Sequence, residues 1–147
     1  MRYRLLLILC LLSAIGVFSS KAQNQGADPY KQLEQKAVDL LGKNYNLSKS
    51  FRFTLQKNDD NAMAHRQYIF SKTSNYAIAF AGDANKEDMV QIMVYDANNE
   101  LVAKNINNSL ILRFTPPKGG IYRITFQSNL DTDINAVGVV GFAAKGQ

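Results

Sequence analysis

The chain has 147 residues, with 17 Lys and Arg against 12 Asp and Glu, one His and one Cys. Its basic residues are spread singly along the sequence, which argues against nucleic-acid binding, because that function needs a clustered basic footprint. A single His and a single Cys also argue against a zinc site and against a disulfide framework.

Residues 1–22 have the pattern of a cleavable secretory signal peptide. Two arginines in the first four residues precede an apolar run of about 14 residues, Leu5–Phe18. A helix that crosses a membrane needs roughly 20 residues. Small residues at Ser20 and Ala22 then form a site of the kind that signal peptidases accept. We expect cleavage after Ala22; the alternative is an uncleaved N-terminal anchor.

Removal of this segment changes the character of the chain. Cys10 is lost together with Arg2, Arg4 and Lys21, so the mature protein keeps 14 basic against 12 acidic residues, a net charge of +2. No second apolar stretch is long enough to span a membrane. The sequence therefore predicts a secreted or periplasmic protein without cysteine, long enough to bury its own core.

A helix is predicted next, after a polar and flexible lead-in at 23–27. Asp28 is a favourable N-cap, Pro29 suits the first helical position, and Gly42 provides a stop signal. Apolar residues recur at helical spacing: Tyr30, Leu33, Ala37, Leu40 and Leu41. We expect a helix over 29–42 that lays one apolar stripe on the rest of the domain.

From Lys49 onward the apolar residues alternate with a period of two, which is typical of half-buried strands. Polar turns at Ser74-Asn75, 96–100 and 116–120 separate the alternating segments. The predicted strands begin near Lys49 and then lie near 65–72, 76–81, 89–95, 101–103, 110–114, 122–126 and 134–143. The strand around Tyr76 is apolar on both faces, which suits a central strand with close packing behind it.

The connections between these strands are too short for parallel crossovers, which need a dozen or more residues. The sheets must therefore be mainly antiparallel, and a β-sandwich is the natural solution. The sequence thus predicts a mainly β protein whose single domain, 28–147, carries one N-terminal helix.

Residues of about 75–144 resemble the bacterial pre-peptidase C-terminal domain family. The resemblance is carried by four stretches that match the order of strands and turns in that family: Glu87–Asp96, Asn99–Ala103, Leu112–Pro116 and Gly120–Ile124. It implies a jelly-roll-like sandwich, appended to or secreted beside extracellular enzymes, that has no catalytic activity of its own.

Calcium is the one metal for which the sequence offers ligands. Some members of that family bind calcium through an Asp-rich segment at the position of Asp88, which makes Asp83, Glu87 and Asp88 candidate ligands. The family's repeated Asp is absent, since positions 89–91 are Met, Val and Gln. Asp131 and Asp133 form a second acidic cluster. The alternative, which we favour, is that both clusters are solvated loops; no other cofactor is expected.

No catalytic constellation is visible. His65 is followed by Arg66 without a serine in a nucleophile-elbow context, so we interpret it as structural. Nothing marks a pair of carboxylates for glycoside hydrolysis. Among the aromatic residues, Tyr68 and Tyr95 are the candidates for stacking on a sugar or a peptide, because the direction of their side chains is uncertain.

The sequence therefore favours an exported, non-catalytic binding or interaction module whose partner is a protein or carbohydrate of the cell envelope. Two alternatives remain. The first is a small secreted hydrolase of the glycosidase type, which requires two convergent carboxylates. The second is a structural subunit of a surface assembly that pairs through an exposed edge strand.

Overall fold

The computed structural model describes residues 28–57, 62–83, 90–107, 109–128 and 132–146. The predicted signal peptide at 1–22, the lead-in at 23–27 and the candidate calcium ligands Glu87 and Asp88 lie outside these ranges, as does Asp131. No helix within the described ranges has the length and apolar character needed to cross a membrane.

Helix α1 spans Pro29–Leu41, which confirms the predicted element. Asp28 caps it by accepting a hydrogen bond from the backbone N–H of Tyr30 at 3.0 Å, which satisfies one of the free donors of the first turn. Gly42 ends the helix with a φ of 77°, a conformation that side chains rarely adopt and glycine adopts readily. Local chemistry alone thus accounts for both ends of α1.

Eight strands follow the helix in the described chain, as expected from the alternation. In chain order they are β1 Asn46–Leu55, β2 Ala62–Phe70, β3 Ser74–Gly82, β4 Val90–Tyr95, β5 Leu101–Lys104, β6 Ile111–Phe114, β7 Gly120–Ser128 and β8 Ile134–Ala144.

Two of the predicted boundaries were wrong. Ser74 and Asn75 belong to β3 rather than to a turn, because they pair with Ala144 and Ala143 of β8. The second strand also lies earlier than predicted, at Ala62–Phe70 instead of 65–72, and the chain turns within residues 71–73.

The strands form two antiparallel sheets of four strands each. Their orders are β1-β8-β3-β6 and β2-β7-β4-β5, so consecutive strands repeatedly alternate between the sheets. This is the strand arrangement of a jelly roll, in which two Greek keys enclose one core. The structure therefore confirms the mainly β, antiparallel sandwich, with α1 as its helix.

The core between the sheets is rich in aromatic side chains. Phe126 of β7 packs against Phe53 of β1 and Phe80 of β3, with ring centroids 5.1 and 5.9 Å apart. A Cβ atom at Gly138 would approach Phe126 to 2.4 Å, well inside van der Waals contact. Glycine at position 138 therefore makes room for the central ring of the core.

A second apolar layer lies outside the β1-β8-β3-β6 sheet, beneath α1. Leu33, Ala37 and Leu41 form the buried stripe of the helix. They pack on small and branched side chains of β3 and β8: Ala77, Ala79, Ala81, Val137 and Val139. The alanines of β3 are thus the close packing expected behind a central strand, and they allow the helix to approach the sheet.

Candidate functional site

The outer face of the β2-β7-β4-β5 sheet is covered by no other element among the described residues. Its cross-strand rows differ in exposure, since Met93 and Thr125 are buried whereas Gln67, Ile69 and Ile121 are exposed. One row consists of Gln67, Arg123 and Tyr95, since Arg123 of β7 pairs with Gln67 on one side and Tyr95 on the other. In the next row Ile69 lies opposite Ile121.

Ile69 and Ile121 are strongly exposed apolar side chains. Their relative exposures are 71% and 57%, although both belong to regular strands. They form one wall of a groove of about 510 Å³ that crosses the edge of β2. The remaining lining is contributed by Lys49, Phe51, Gln67 and Tyr68. The groove is thus mostly apolar with a few polar groups, as is common in ligand sites.

Tyr68 belongs to this groove but its ring does not stand free on a sheet face. The ring is half-buried and lies 4.7 Å from Phe70 and 6.2 Å from Tyr76, between centroids. Its hydroxyl forms a hydrogen bond of 2.6 Å with the hydroxyl of Ser48 on β1. Tyr68 therefore joins the two sheets and shows only part of its surface to a ligand.

Tyr95 faces outward, as the alternation of β4 requires, but one of its faces is occupied. The Arg123 guanidinium lies 4.8 Å from the centre of the ring. The Tyr95 hydroxyl donates to Met93 Sδ at 3.3 Å. The two predicted aromatic candidates are not brought together, because Tyr68 packs toward the core and Tyr95 lies on the outer face.

The backbone of β2 directs polar groups toward its free edge at alternate residues. The N–H of Ile92 donates to Asn105 Oδ1 at 2.9 Å, and Ile92 O accepts from the Asn105 N–H at 3.0 Å, so Ile92 points away from β7. The backbone N–H and C=O groups of its neighbour Met93 therefore point toward β7 and form hydrogen bonds with the backbone of Thr125. His65, opposite Thr125 on the other side, must direct its N–H and C=O to the free edge.

The same alternation directs the backbone groups of Gln67 and Ile69 to the free edge. The His65 carbonyl is already engaged, because Arg66 Nη1 donates to it at 2.7 Å. Arg66 Nη2 reaches the carbonyl of Arg52 on β1 at 3.4 Å. Arg66 thus closes one half of this edge, whereas the half beside the groove stays open.

The candidate calcium ligands that the structure describes act as structural acceptors. Asp83 accepts from the Asn135 backbone N–H at 3.0 Å and from its Nδ2 at 2.9 Å. Asp133 accepts from the backbone N–H of Lys57 at 2.8 Å. Within the described ranges, no three His, Cys, Asp or Glu side chains are grouped so as to hold a metal ion.

Other described acidic side chains are also engaged by their own chain. Asp28 and Glu34 accept from the guanidinium of Arg52 at 2.9 and 3.1 Å. Asp96 accepts from two backbone N–H groups of its own hairpin, and Asp39 accepts from Gln35. None of these carboxylates lies in the groove.

His65 lies at the exposed end of a cross-strand pair. Its Nδ1 is 3.0 Å from the hydroxyl of Thr125, the residue opposite it on β7. No described serine or carboxylate is hydrogen-bonded to the ring. His65 thus contributes a side-chain contact between β2 and β7, and its structural interpretation stays a prediction.

A second concavity, of about 620 Å³, lies beside the end of α1 and is lined mainly by polar residues. Arg113 lies over the ring of Tyr45 there, at 5.9 Å from its centre. This concavity lacks the exposed apolar pair that distinguishes the groove at β2.

Comparison with known proteins gives similarities to solved structures alone. No family model matches the chain, and no curated protein matches it. A periplasmic inhibitor of g-type lysozyme from Aeromonas hydrophila, PliG, is similar at 11% identity with a TM-score of 0.47, over 69% of this chain and 89% of that one. The accessory secretory proteins 1, 2 and 3 of Streptococcus pneumoniae are similar at 13% identity with a TM-score of 0.34, over 69% and 85%. Neither similarity contributes to the assignment of a function.

The alternation of apolar residues in β2 and β7 contains a signal for the groove. In β7 the residues Tyr122, Ile124 and Phe126 point inward, so alternation places Ile121 outside as an apolar residue in contact with water. Ile69 next to inward-facing Phe70 gives the same signal in β2. What the sequence could not give is the pairing that places these two isoleucines side by side.

Proposed function

We propose that this protein is an exported, non-catalytic binding module that engages a protein or carbohydrate of the cell envelope through the open sheet face and the groove at β2. One observation carries the proposal. The outer face of one sheet is covered by α1, whereas the outer face of the other presents Ile69 and Ile121 to solvent beside the groove. Exposed apolar groups gathered beside a concavity mark interaction sites.

Export is supported by the sequence of residues 1–22. The charged start, the short apolar run and the small residues before position 23 together form the pattern of a signal peptide.

The absence of catalysis is supported by the use of the described carboxylates. Glycoside hydrolysis requires two convergent carboxyl groups across a cleft. The described acidic residues lie in α1, at its cap, or in turns, and none of the four strands of the open sheet contains Asp or Glu. The groove consequently lacks the acid and the base that such a hydrolase uses.

The proposal is tested by capture of envelope components with the protein purified from cells that export it. The variant Ile69→Ser/Ile121→Ser removes the apolar pair, and Ile106→Ser is the control, because Ile106 is 75% exposed but lies between β5 and β6. Circular dichroism melting verifies that each variant folds.

We expect a component that the wild type and Ile106→Ser retain and that the double variant loses. Equal retention by all three proteins would contradict the proposal. The capture is repeated with calcium and with a chelator, because a component that binds only with calcium would assign the acidic loops a role in binding.

A further inference from the structure

The open half of the β2 edge has the properties of a site for a partner strand. We propose that it takes an extended, acidic segment of a partner protein as a fifth strand of the β2-β7-β4-β5 sheet, with an apolar side chain of that segment in the groove. This inference rests on the proposed binding function and names the chemistry of the partner.

The backbone supplies the first part of the argument. Gln67 and Ile69 direct their N–H and C=O groups to the free edge, and β2 is the last strand of its sheet. Among the described residues no strand pairs with this edge. An extended segment satisfies such groups with main-chain hydrogen bonds, which is the basis of recognition by β-strand addition.

The groove supplies the second part. In an added strand the side chains alternate between the two faces of the sheet. The groove crosses the edge of β2 from Phe51 and Tyr68, between the sheets, to Ile69 and Ile121 on the outer face. It therefore offers an apolar pocket at the place where a side chain of the added strand would lie.

Charge determines the kind of segment. No strand of the open sheet contains an acidic residue, and neither does β1. Lys49 lies in the groove, and Arg123 lies beside Gln67. Neither cation has a carboxylate partner among the described residues. Complementary charge steers a partner and fixes its register, so the segment that fits here is acidic.

The same charges disfavour a second copy of this chain as the occupant. Pairing of two β2 edges about a two-fold axis would bring two identical strands together, each with Arg66 at its middle and Lys49 of β1 beside it. Like charges directly opposite each other destabilise a strand pair. A homodimer through this edge would therefore be repelled.

Two other sheet edges offer less for a partner. β5 and β6, at the far edges of the two sheets, have only four residues each, against nine in β2. Short edge strands are one of the ways in which proteins prevent unwanted pairing. The fourth edge, β1, also lines the groove through Lys49 and Phe51, but the paired isoleucines belong to the sheet that ends at β2.

The first experiment uses a short synthetic peptide that alternates glutamate and valine, titrated into the purified protein. We expect saturable binding that weakens at about 1 M salt, where charges are screened over a few ångströms. The backbone N–H groups of Gln67 and Ile69 should gain protection from hydrogen exchange. A peptide with lysine in place of glutamate should not bind, and neither should one with proline at alternate positions, since proline lacks the N–H donor.

Variants locate the site. Lys49→Glu should weaken the acidic peptide at least about tenfold, because it replaces an attraction with a repulsion. Lys104→Glu is the matched control, since Lys104 lies on β5 at the opposite edge of the same sheet, and it should change binding less than about twofold.

Several results would overturn the inference. The inference fails if the acidic and basic peptides bind equally, or if the two lysine variants have equal effects. It also fails if no peptide binds at millimolar concentration. Concentration-dependent dimerisation that Ile69→Ser abolishes would identify a second copy of the chain as the occupant instead. If the component captured from the envelope is a polysaccharide, or a protein that the acidic peptide does not displace, the binding function stands and this inference fails. If nothing is captured through the isoleucines, the binding function itself fails.

Discussion

The two sheets of the sandwich differ in what lies on their outer faces. On the β1-β8-β3-β6 sheet, outward positions of β3 and β8 are occupied by alanine and valine, and α1 packs on them. On the β2-β7-β4-β5 sheet, the outward positions include Gln67, Arg123 and the exposed isoleucine pair. Small apolar side chains thus mark the face that α1 covers, whereas larger and polar side chains mark the face that no described element covers.

The comparison also separates stability from function. The covered face contributes a second buried layer, so changes there should act on the free energy of unfolding. The open face contributes little to the core, so changes there should act on binding. The predictions below test this separation by pairing each change on one face with a matched change elsewhere.

The largest effect is expected for a charge beneath the helix. Ala79 is fully buried against α1, so Ala79→Lys should lower the free energy of unfolding by about 3–5 kcal/mol, the cost typical of an unpaired buried charge. Gln91→Lys on β4 places the same side chain on the open face and should change the free energy of unfolding by about 0.5 kcal/mol or less. Urea unfolding measures both values.

Ala79→Ser provides a milder version in case Ala79→Lys does not fold. It adds only a hydroxyl to the same buried place and should cost about 1–3 kcal/mol. Equal stability losses at positions 79 and 91 would show that the two faces do not differ in the way described.

The next effect concerns the attachment of the helix. Asn135 Oδ1 accepts from the Tyr30 hydroxyl at 3.0 Å and from the Thr54 hydroxyl at 3.3 Å, and its Nδ2 donates to Asp83. Asn135→Ala should therefore lower the free energy of unfolding by about 1–3 kcal/mol, since several polar groups lose their partner.

Gln127 is the matched position for Asn135 on the open sheet. It is also an outward-facing amide, on β7, but it has no side-chain hydrogen bond within the described ranges. Gln127→Ala should change the free energy of unfolding by about 0.5 kcal/mol or less. A loss at Gln127 as large as that at Asn135 would contradict the assigned role of Asn135.

Much of this architecture could be predicted because it depends on local patterns. Both ends of α1 could be predicted from Asp28, Pro29 and Gly42, and the strands could be predicted from the alternation of apolar and polar residues. The alanines of β3 even indicated that something packs behind that strand. At Ser74 and Asn75 a turn signal and a strand signal overlap in the sequence. These residues belong to a strand because they pair with β8, and this long-range pairing has no local signature.

The candidate site was less predictable for the same reason. The exposed isoleucines were visible in the alternation, but their contact depends on the register between β2 and β7. Tyr68 was a candidate for stacking because the direction of its side chain was uncertain from the sequence. The structure shows it in contact with Phe70, Tyr76 and Ser48 instead. Its role in binding a ligand, like that of Tyr95, stays a prediction.

A smaller effect on stability, combined with an effect on binding, is expected for Arg123. Its guanidinium stacks on Tyr95 while its Nε is buried without a hydrogen-bond partner. Arg123→Met keeps the apolar stem and removes the charge, so stability should change by about 1 kcal/mol or less. Affinity for the acidic peptide should fall by about fivefold to tenfold.

Arg113→Met is the control for Arg123, since Arg113 also lies over a tyrosine, but on β6 of the other sheet. It should not alter peptide affinity. If the two arginine variants weaken the peptide equally, the effect reflects net charge rather than the open face. Isothermal titration calorimetry at low salt gives the affinities.

The smallest effect is expected for the ion pairs at the start of α1. The hydrogen bond that Arg52 donates to Glu34, followed by the charge of Asp28, raises the pKa of Arg52 above its ordinary value. A raised pKa of a cation adds stability that is lost only as the pH rises through that pKa, and arginine stays protonated far above neutral pH. Arg52→Gln should therefore lower the melting temperature slightly and by the same amount on either side of neutrality.

Salt separates this contribution from packing. Arg52 and Asp28 are about half exposed and Glu34 is partly exposed, so their attraction should be screened at about 1 M salt. The difference in melting temperature between the wild type and Arg52→Gln should then disappear, whereas the difference caused by Ala79→Ser should remain. Persistence of the Arg52 effect in salt would mean that its side chain holds α1 by packing over Tyr30, whose ring centre lies 5.8 Å from the guanidinium, rather than by charge.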